Sequence, residues 1–350
     1  MLSEKQILEI REHLEKAQNP LFFYDNDADG LCSYILFRRF IERGKGVSVR
    51  SHPDVDEIYA KKAQELNVDY IFVLDRPILG KKFVEEVQKL QLPIVWIDHH
   101  DVRGEDYDNV FVYNPTKNKE RSEEPVSFWA YKITNRKEDI WLALMGCIAD
   151  HYLPDFAKDF GEKCPEFWAK KEIIKEPFDA YYKTEAGRVA RALSFGLKDS
   201  VTHVVQLQNL LINSKGLADM IIELESNKPF AKRYRDIKKK YDLLIEKAKK
   251  HVKDKLLFFN YGGDLSISSD ISNELSYLYK NKVIVVAYSS GPITNISMRG
   301  KDVKEIIEKT LPSFENATGG GHVNAVGVRL QTQDIEIFKN EIEKEIDKIK

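Results

Sequence analysis

Short apolar runs bounded by polar residues recur through the first half of the chain, separated by stretches with helical spacing of their apolar residues. The runs that predict strands are Pro20 to Asp25, Val47 to His52, Tyr70 to Asp75, Pro93 to His99 and Asn109 to Tyr113. Strands that alternate with helices in this way are typical of βαβ units. The pattern therefore predicts an α/β fold with a doubly wound parallel sheet.

The pattern changes after Asp150, where the sequence becomes helical and includes a long charged stretch, Phe230 to Lys253. Beyond it we expect a smaller α/β domain. Its predicted elements are strands at Leu256 to Phe259, Val283 to Tyr288, Thr294 to Met298 and Val326 to Leu330, with helices near Asp270 to Tyr279 and Val303 to Thr310. We thus divide the chain into a first domain at 1–200, a helical connector at 201–254 and a second domain at 255–350.

Acidic and histidine residues follow the apolar runs where the predicted strands end. Asp25, Asp27 and Asp29 alternate after the first run, and residues two apart point the same way along extended backbone. Ligands of open parallel sheets bind outside the carboxyl ends of the strands, so these positions form one constellation. Its further members are Asp75, Asp98, His99, His100 and, after the helical stretch Trp141 to Ala149, Asp150.

This set of side chains indicates a metal centre. One Asp after a strand is weak evidence because Asp commonly caps the following helix, but here four separate places carry such residues. Hard carboxylates with one or two histidines suit a pair of divalent cations of the Mn²⁺ or Mg²⁺ type, which can activate a bridging water. Adjacent histidines without a Cys partner argue against structural zinc.

The spacing Asp25 to Gly30 also matches the opening of an EF-hand calcium loop. In such a loop the twelfth position is a bidentate Glu, and here it is Leu36. The residues before Asp25 predict a strand, whereas an EF-hand requires an entering helix. Calcium binding of the EF-hand type is therefore not expected.

These residues resemble the DHH phosphoesterases, a family named for the triplet that stands here as Asp98-His99-His100. The first motif, Asp25 to Gly30, is most similar to the RecJ exonuclease branch, in particular to archaeal RecJ-like single-strand exonucleases. The second and fourth motifs correspond to Asp75 and to Asp150 within Gly146 to Asp150. The resemblance implies two divalent cations, Mn²⁺ first and Mg²⁺ as the alternative.

The resemblance also assigns roles to the residues. Asp75 would bridge the two cations. The ligands of one would be Asp25, Asp27 and Asp75, and those of the other Asp29, Asp75, His99 and Asp150. Asp98 would orient a histidine, as residues behind metal ligands often do.

Two roles stay open at this point. His100 would bind the scissile phosphate or protonate the leaving oxygen, or it would only donate a hydrogen bond behind the metals. Arg76 departs from the family, in which a small residue often follows the second-motif Asp, and it would bind phosphate or pair with a carboxylate.

A second signature, Gly319-Gly320-Gly321-His322, resembles the DHH-associated substrate domain and predicts a Gly-rich turn. Glycines let backbone N–H groups approach a phosphate closely, and His322 adds a donor. Arg299 stands at the end of the preceding predicted strand, where the family carries a substrate-binding Arg. We expect these residues to form a phosphate clamp that faces the metals across a cleft between the domains.

Composition narrows the function without deciding it. The 350 residues, 43% of them hydrophobic, can form two packed cores, and three Cys without paired spacing suggest a reducing cytoplasm. No apolar run approaches the roughly 20 residues of a membrane helix, so no membrane association is expected. The net charge of −2 means that any basic surface for nucleic acid is local, as at 117–121 or 232–240.

For the helical stretch Phe230 to Lys253 we favour a solvated helix over a nucleic-acid groove. Tyr234 and Tyr241 lie a heptad apart on it. That spacing is more typical of packing against a domain than of stacking on bases.

The first functional hypothesis is a metal-dependent exonuclease that releases mononucleotides from single-stranded DNA or RNA, in repair, replication or RNA turnover. A helicase or replication-complex protein is a plausible partner by resemblance. The alternatives are a phosphodiesterase for oligoribonucleotides or dinucleotides, and a non-catalytic replication scaffold. Because every motif residue is present, the scaffold is disfavoured. The polarity of digestion cannot be read from these motifs.

Overall fold

The computed structural model describes residues 1–50, 54–101, 107–168 and 174–348. The last residues of the predicted strand Val47 to His52, and residues 349–350 of the expected second domain, lie outside the described part of the chain. The chain forms two compact units, Met1–Tyr234 and Arg235–Lys350.

The first unit contains a five-stranded sheet in which every neighbouring pair is parallel. In chain order the strands of this unit are β1 (Pro20–Asp25), β2 (Lys45–Val49), β3 (Asp54–Val55), β4 (Tyr70–Leu74), β5 (Ile78–Leu79), β6 (Ile94–Ile97) and β7 (Val110–Tyr113). The spatial order in the five-stranded sheet is β2-β1-β4-β6-β7, and β3 and β5 form a separate small pair. The predicted parallel α/β sheet is confirmed.

Helices cover both faces of this sheet. The helices of this unit, some of which pack only on other helices, are α1 (Glu4–Lys16), α2 (Ala28–Ile41), α3 (Ile58–Glu65), α4 (Lys81–Lys89), α5 (Val126–Thr134), α6 (Ile140–Ala149), α7 (Ala157–Lys163), α8 (Pro177–Lys183), α9 (Glu185–Gly196), α10 (Val201–Asn213) and α11 (Leu217–Glu225). Successive side chains of β1 point to opposite faces of the sheet and pack on different helices. Phe23 packs on Phe83 of α4, whereas Phe22 stacks near Tyr34 and Phe37 of α2. All of these rings are buried, as expected for strands enclosed between helices.

Helix α12 (Pro229–Lys249) runs across the boundary between the units. Its two tyrosines are buried, with Tyr234 at 6% and Tyr241 at 5% exposure. Tyr234 lies near Phe195 of the first unit, and Tyr241 donates a hydrogen bond to Glu274 of the second. These rings therefore pack inside the protein, in agreement with the interpretation of α12 as a packed, solvated helix.

The second unit is a mixed sheet with helices α13 (Ser268–Leu278), α14 (Val303–Thr310) and α15 (Ile335–Lys348). Its strand order is β11-β12-β10-β9-β8, with only β8 and β9 parallel. The strands are β8 (Leu256–Gly262), β9 (Val283–Ser290), β10 (Ile293–Arg299), β11 (Thr318–His322) and β12 (Ala325–Gln331). One face packs on α14 and α15, where Met298, Val326 and Phe338 share a core.

One local prediction in this unit is wrong. Gly319-Gly320-Gly321-His322, expected as a Gly-rich turn, forms the edge strand β11. Its backbone pairs with β12, where Gly320 stands opposite Gly327 and His322 opposite Ala325. The turn lies instead at residues 323–324, immediately after His322.

Among the described residues, no helix combines the length and the apolar character needed to cross a membrane.

Candidate metal centre

The first motif lies at the tight junction between β1 and α2. Asp25 ends β1, and Asp27 caps α2 by accepting a hydrogen bond from the backbone N of Gly30 at 2.9 Å. A Cβ atom at position 30 would lie 2.7 Å from the backbone N and O of Asp25. Only glycine fits there, and this close approach holds the carboxylates of Asp25 and Asp27 at the edge of the sheet.

Two clusters of possible ligands share Asp75. The first contains Asp25, Asp27 and Asp75, and the second contains Asp75, His99 and His100. Within each cluster the candidate ligand atoms all lie within 4.8 Å of one another. A cation reaches several such atoms at once, and the mixture of carboxylate and imidazole suits Mn²⁺ or Mg²⁺. The residues therefore fit divalent cations, with Asp75 common to the two clusters.

Asp75 has an unusual backbone conformation. Its φ of 59° lies in the left-handed region, which is uncommon for a residue other than glycine. Its backbone N donates to the carbonyl of Ile97 in the neighbouring strand at 2.9 Å. Its side chain is only 3% exposed. The turn after β4 thus directs a buried carboxylate towards the strand ends.

The imidazole of His99 is oriented for ligation through Nε2. Its Nδ1 lies 3.2 Å from the carbonyl oxygen of Glu123, which can only accept, so Nδ1 carries the proton. Nε2 then faces the carboxylates, 3.3 Å from Asp75 Oδ1 and 3.6 Å from Asp150 Oδ2. Asp150, which ends α6, is thereby brought to the centre from a separate element.

His100 has a different partner on Nδ1. Nδ1 lies 2.8 Å from Asp98 Oδ1, while Asp98 Oδ2 accepts from the backbone N of His100 at 3.0 Å. Asn114 supports the pair by donating to Asp98 Oδ2 at 3.1 Å and to the carbonyl of His100 at 2.9 Å. Asp98 thus orients His100, in line with the role expected of it. Sequence reasoning missed Asn114, although it follows the strand β7 directly as Asp75 follows β4.

Asp29 is not brought into either ligand cluster. Both of its oxygens are occupied by the start of α5: the backbone N of Val126 donates to Oδ2 at 2.8 Å, and that of Ser127 donates to Oδ1 at 2.9 Å. The hydroxyl of Ser127 also donates to Oδ1. Asp29 was predicted as a metal ligand, but in the structure it caps α5 and fastens it to α2, because its position already belongs to the first turn of α2.

The crowded carboxylates hold protons unusually strongly. Desolvation and the charges of Asp25 and Asp29 raise the pKa of Asp27 to about 8. Desolvation and the charges of Asp27 and Asp29 raise the pKa of Asp75 well above its usual range. Desolvation likewise raises the pKa of Asp150 to about 6, although a neighbouring histidine opposes the shift. A cation would relieve this repulsion.

Both histidines are stabilised in their charged forms. Burial lowers the pKa of His99, but its hydrogen bond to Asp75 and the charge of Asp150 outweigh burial and raise that pKa well above its usual value. Burial alone would lower the pKa of His100. The hydrogen bond and the charge of Asp98 outweigh burial, so the pKa of His100 lies above its usual value.

Arg76 pairs with the first-motif carboxylate. Its guanidinium donates to Asp25 Oδ1, and its side chain is only 4% exposed. Of the two roles left open by the sequence, the structure shows the pairing with a carboxylate.

Two of the predicted substrate residues, Arg299 and His322, lie on one face of the sheet in the second unit. His322, Ala325 and Arg299 stand opposite one another on adjacent strands, so the side chains of His322 and Arg299 project on the same side. That side is opposite to the core formed with α14 and α15. Arg299 donates from Nε to Asn273 of α13 at 2.6 Å, whereas His322 is exposed.

Comparison with known proteins agrees with this architecture. Residues 21–150 match the family described as DHH family, N-terminal domain. No protein in the curated set matches the sequence.

Several solved structures share the fold at low sequence identity. RecJ from Thermus thermophilus in complex with Mn²⁺ matches 98% of this chain with a TM-score of 0.62 and 14% identity. The chain spans only 54% of that RecJ. A DHH domain described as belonging to a member of a family of ribosomal proteins gives a TM-score of 0.69 at 15% identity, covering 98% of this chain and 89% of the other.

A further structure, described as exonuclease RecJ bound to manganese, gives a TM-score of 0.58 at 14% identity over 100% of this chain and 96% of that one. Such identities establish the fold and leave the activity to the site itself. The match to the family covers the β1–α2 junction, Asp75, the Asp98-His99-His100 triplet and Asp150. Residues 21–150 of this chain are thus similar to the DHH family, N-terminal domain, and the chain shares the fold of the RecJ structures.

Proposed function

We propose that this protein is a phosphodiesterase, dependent on Mn²⁺ or Mg²⁺, that releases mononucleotides from single-stranded DNA or RNA. The observation that carries the proposal is the pair of ligand clusters joined by Asp75 at the carboxyl edge of a parallel sheet. The DHH-family match supports phosphoester hydrolysis, and the RecJ structures described with Mn²⁺ and Mg²⁺ support the choice of metal.

In this proposal Asp25, Asp27 and Asp75 would hold one cation, and Asp75, His99 and Asp150 the other. Asp150 takes the place of His100 in the second set because its Oδ2 lies 3.6 Å from Nε2 of His99, whereas Nδ1 of His100 is held by Asp98. When bound, such a pair supplies an activated water and a clamp for the phosphate oxygens. Asp75 serves both positions because its carboxylate is common to the two clusters.

His100 has the properties of a general acid. Asp98 fixes its ring through Nδ1, which leaves Nε2 as the nitrogen that can meet the substrate. The hydrogen bond and charge of Asp98 raise the pKa of the imidazole, which favours the protonated form from which Nε2 can donate a proton to the leaving oxygen. We therefore assign His100 to leaving-group protonation.

Arg299 and His322 are proposed to bind a substrate phosphate. The guanidinium of Arg299 is anchored by Asn273 through Nε, and its terminal nitrogens include donors suited to phosphate oxygens. His322 adds an exposed imidazole on the same face.

The test is digestion of single-stranded DNA and RNA, labelled at either end, with Mn²⁺, next to a dinucleotide substrate. Release of mononucleotides from the long strands supports the exonuclease and reveals its polarity. Cleavage of the dinucleotide alone would favour a small-substrate phosphodiesterase, and cleavage of nothing would favour a scaffold. Asp75→Asn should abolish activity, while Asp236→Asn, on the exposed side of α12, should not.

A further inference from the structure

Arg76 places a fixed positive charge at one of the two ligand clusters. Its guanidinium donates to Oδ1 of Asp25, and Asp25 is one of the three carboxylates of the Asp25–Asp27–Asp75 cluster. The side chain of Arg76 is 4% exposed, whereas that of Asp25 is 30% exposed. The ion pair is therefore shielded from water on the arginine side, where charges interact strongly.

The backbone around Arg76 fixes this arrangement. Asp75, with its left-handed φ of 59°, turns the chain immediately before Arg76, and Pro77 restricts the conformation of Arg76 from the other side. The carbonyl of Arg76 accepts a hydrogen bond from Nε1 of the buried Trp96 at 2.7 Å. The guanidinium is thus held at Asp25 by a rigid segment that also carries the shared ligand Asp75.

At the other cluster, the partners of the carboxylates are histidines and not an arginine. His99 and His100 meet the carboxylates of Asp75, Asp150 and Asp98. A cation at His99 would therefore meet the carboxylates of Asp75 and Asp150, while His100 is paired with the carboxylate of Asp98. A cation at Asp25 must instead share a carboxylate with a guanidinium.

We propose that Arg76 is a tethered cation that makes the two metal positions unequal, by competing for Asp25 and weakening the Asp25–Asp27–Asp75 position. The position at His99 fills first, and the position at Asp25 binds its ion at least about tenfold more weakly, since one buried charge near a divalent ion readily changes affinity by that factor. This inference rests on the proposed metal-dependent function and assigns an order of filling within it.

The experiment is a titration of the full chain with Mn²⁺, followed by calorimetry and by the electron paramagnetic resonance of free Mn²⁺. It compares the wild type with Arg76→Gln, Arg76→Met and Arg76→Lys. We expect the wild type to show two unequal affinities. The neutral variants should bind Mn²⁺ about tenfold more tightly at the weaker position. Arg76→Lys, which keeps the charge, should retain the difference between the two affinities.

Two results would overturn the proposal: equal affinities in the wild type, or weaker binding in the neutral variants, which would mean that Arg76 only orients Asp25. Two neutral side chains of different polarity are used so that one unfolded variant does not end the test, and circular dichroism checks folding. If the wild type binds no Mn²⁺ at all, the proposed function itself fails, which is a separate outcome from equal affinities.

Discussion

At the scale of single residues, the two adjacent histidines differ because their Nδ1 atoms meet different acceptors. Nδ1 of His99 meets the neutral carbonyl of Glu123, and that of His100 meets the carboxylate of Asp98. A carbonyl fixes the tautomer without adding charge, so Nε2 of His99 stays available as a ligand. A carboxylate also stabilises the imidazolium, which suits His100 for donating a proton.

Asp98→Asn should therefore impair turnover more than metal binding. The single oxygen of asparagine can still accept from Nδ1 but carries no charge, so the pKa of His100 should fall. The amide nitrogen would face the donors that now meet Oδ2, His100 N and Asn114 Nδ2, so some loss of stability is expected as well. We expect kcat to drop about 10- to 100-fold, with the alkaline limb of the pH profile moved to lower pH and Mn²⁺ affinity nearly unchanged. Asp101→Asn is the matched control, since Asp101 is 62% exposed and pairs with Arg121. An unchanged pH profile would exclude His100 as the acid.

Asp29→Asn tests whether the role of Asp29 is to hold the start of α5 and not to bind metal. The amide can replace only one of the two acceptor oxygens facing Val126 and Ser127. The free energy of unfolding should fall by about 1–3 kcal/mol, the usual cost of a buried donor left unpaired. The stoichiometry of Mn²⁺ binding should not change, in contrast to Asp75→Asn. Loss of an ion in Asp29→Asn would restore Asp29 as a ligand.

The sequence identified most of this centre because parallel strands end at a common edge. Asp75 and His99 are brought together for that reason, and Asp25 with them. Asp29 differs because its alternation with Asp27 holds only for extended backbone, and the chain has already entered α2. The partner of Arg76 could not be predicted, since distance along the sequence does not indicate which carboxylate a guanidinium will reach.

At the scale of elements, strand prediction succeeded where apolar side chains mark the strand and failed where they do not. Strands β1, β4 and β6 carry buried aromatic and branched residues. Strand β11 carries three glycines and is exposed throughout, so its residues have the composition of a turn. It is a strand because β12 supplies hydrogen-bond partners, and such pairing is not a local property of the sequence.

The β1–α2 junction gives a sharp prediction for Gly30→Ala. The added methyl group would meet the backbone N and O of Asp25 at 2.7 Å, and backbone atoms cannot move aside as a flexible side chain can. We expect a loss of roughly 1–3 kcal/mol or more in stability and weaker Mn²⁺ binding, because Asp25 and Asp27 would be displaced. Thermal melting and a Mn²⁺ titration measure both effects.

Gly216→Ala is the control for that substitution. A Cβ atom at Gly216 would have no heavy atom within 4 Å, and the residue has an extended φ of −179°. Its stability should stay close to that of the wild type. Equal behaviour of the two variants would show that the close approach at Gly30 does not constrain the site.

At the scale of the whole molecule, each unit has its own hydrophobic core. The first unit packs Phe23, Trp96 and Phe83 between its sheet and helices, and the second packs Met298 and Phe338. The proposed metal ligands all belong to the first unit, and Arg299 and His322 belong to the second. Substitutions in one unit therefore probe the proposed metal site without changing any residue of the proposed phosphate site.

The charged centre also makes the stability of the first unit depend on pH. The folded-state pKa of Asp27 is raised to about 8 and that of Asp150 to about 6, from an ordinary value of 3.8, and that of Asp75 is raised as well. The folded chain therefore binds more protons than the unfolded chain between about pH 4 and pH 8. We therefore expect the contribution of these carboxylates to stability to fall as pH rises through this window.

The histidines act in the same direction, because the raised pKa of His99 and His100 stabilises the folded state only while they are protonated. With a chelator present, the urea midpoint should fall steadily from pH 5 to pH 8. Millimolar Mn²⁺ should reverse that slope, since the cation binds the deprotonated carboxylates and its affinity rises with pH. Asp75→Asn should flatten the slope in chelator and lose the response to Mn²⁺. A midpoint that rose with pH in chelator would contradict the charge crowding at the strand ends.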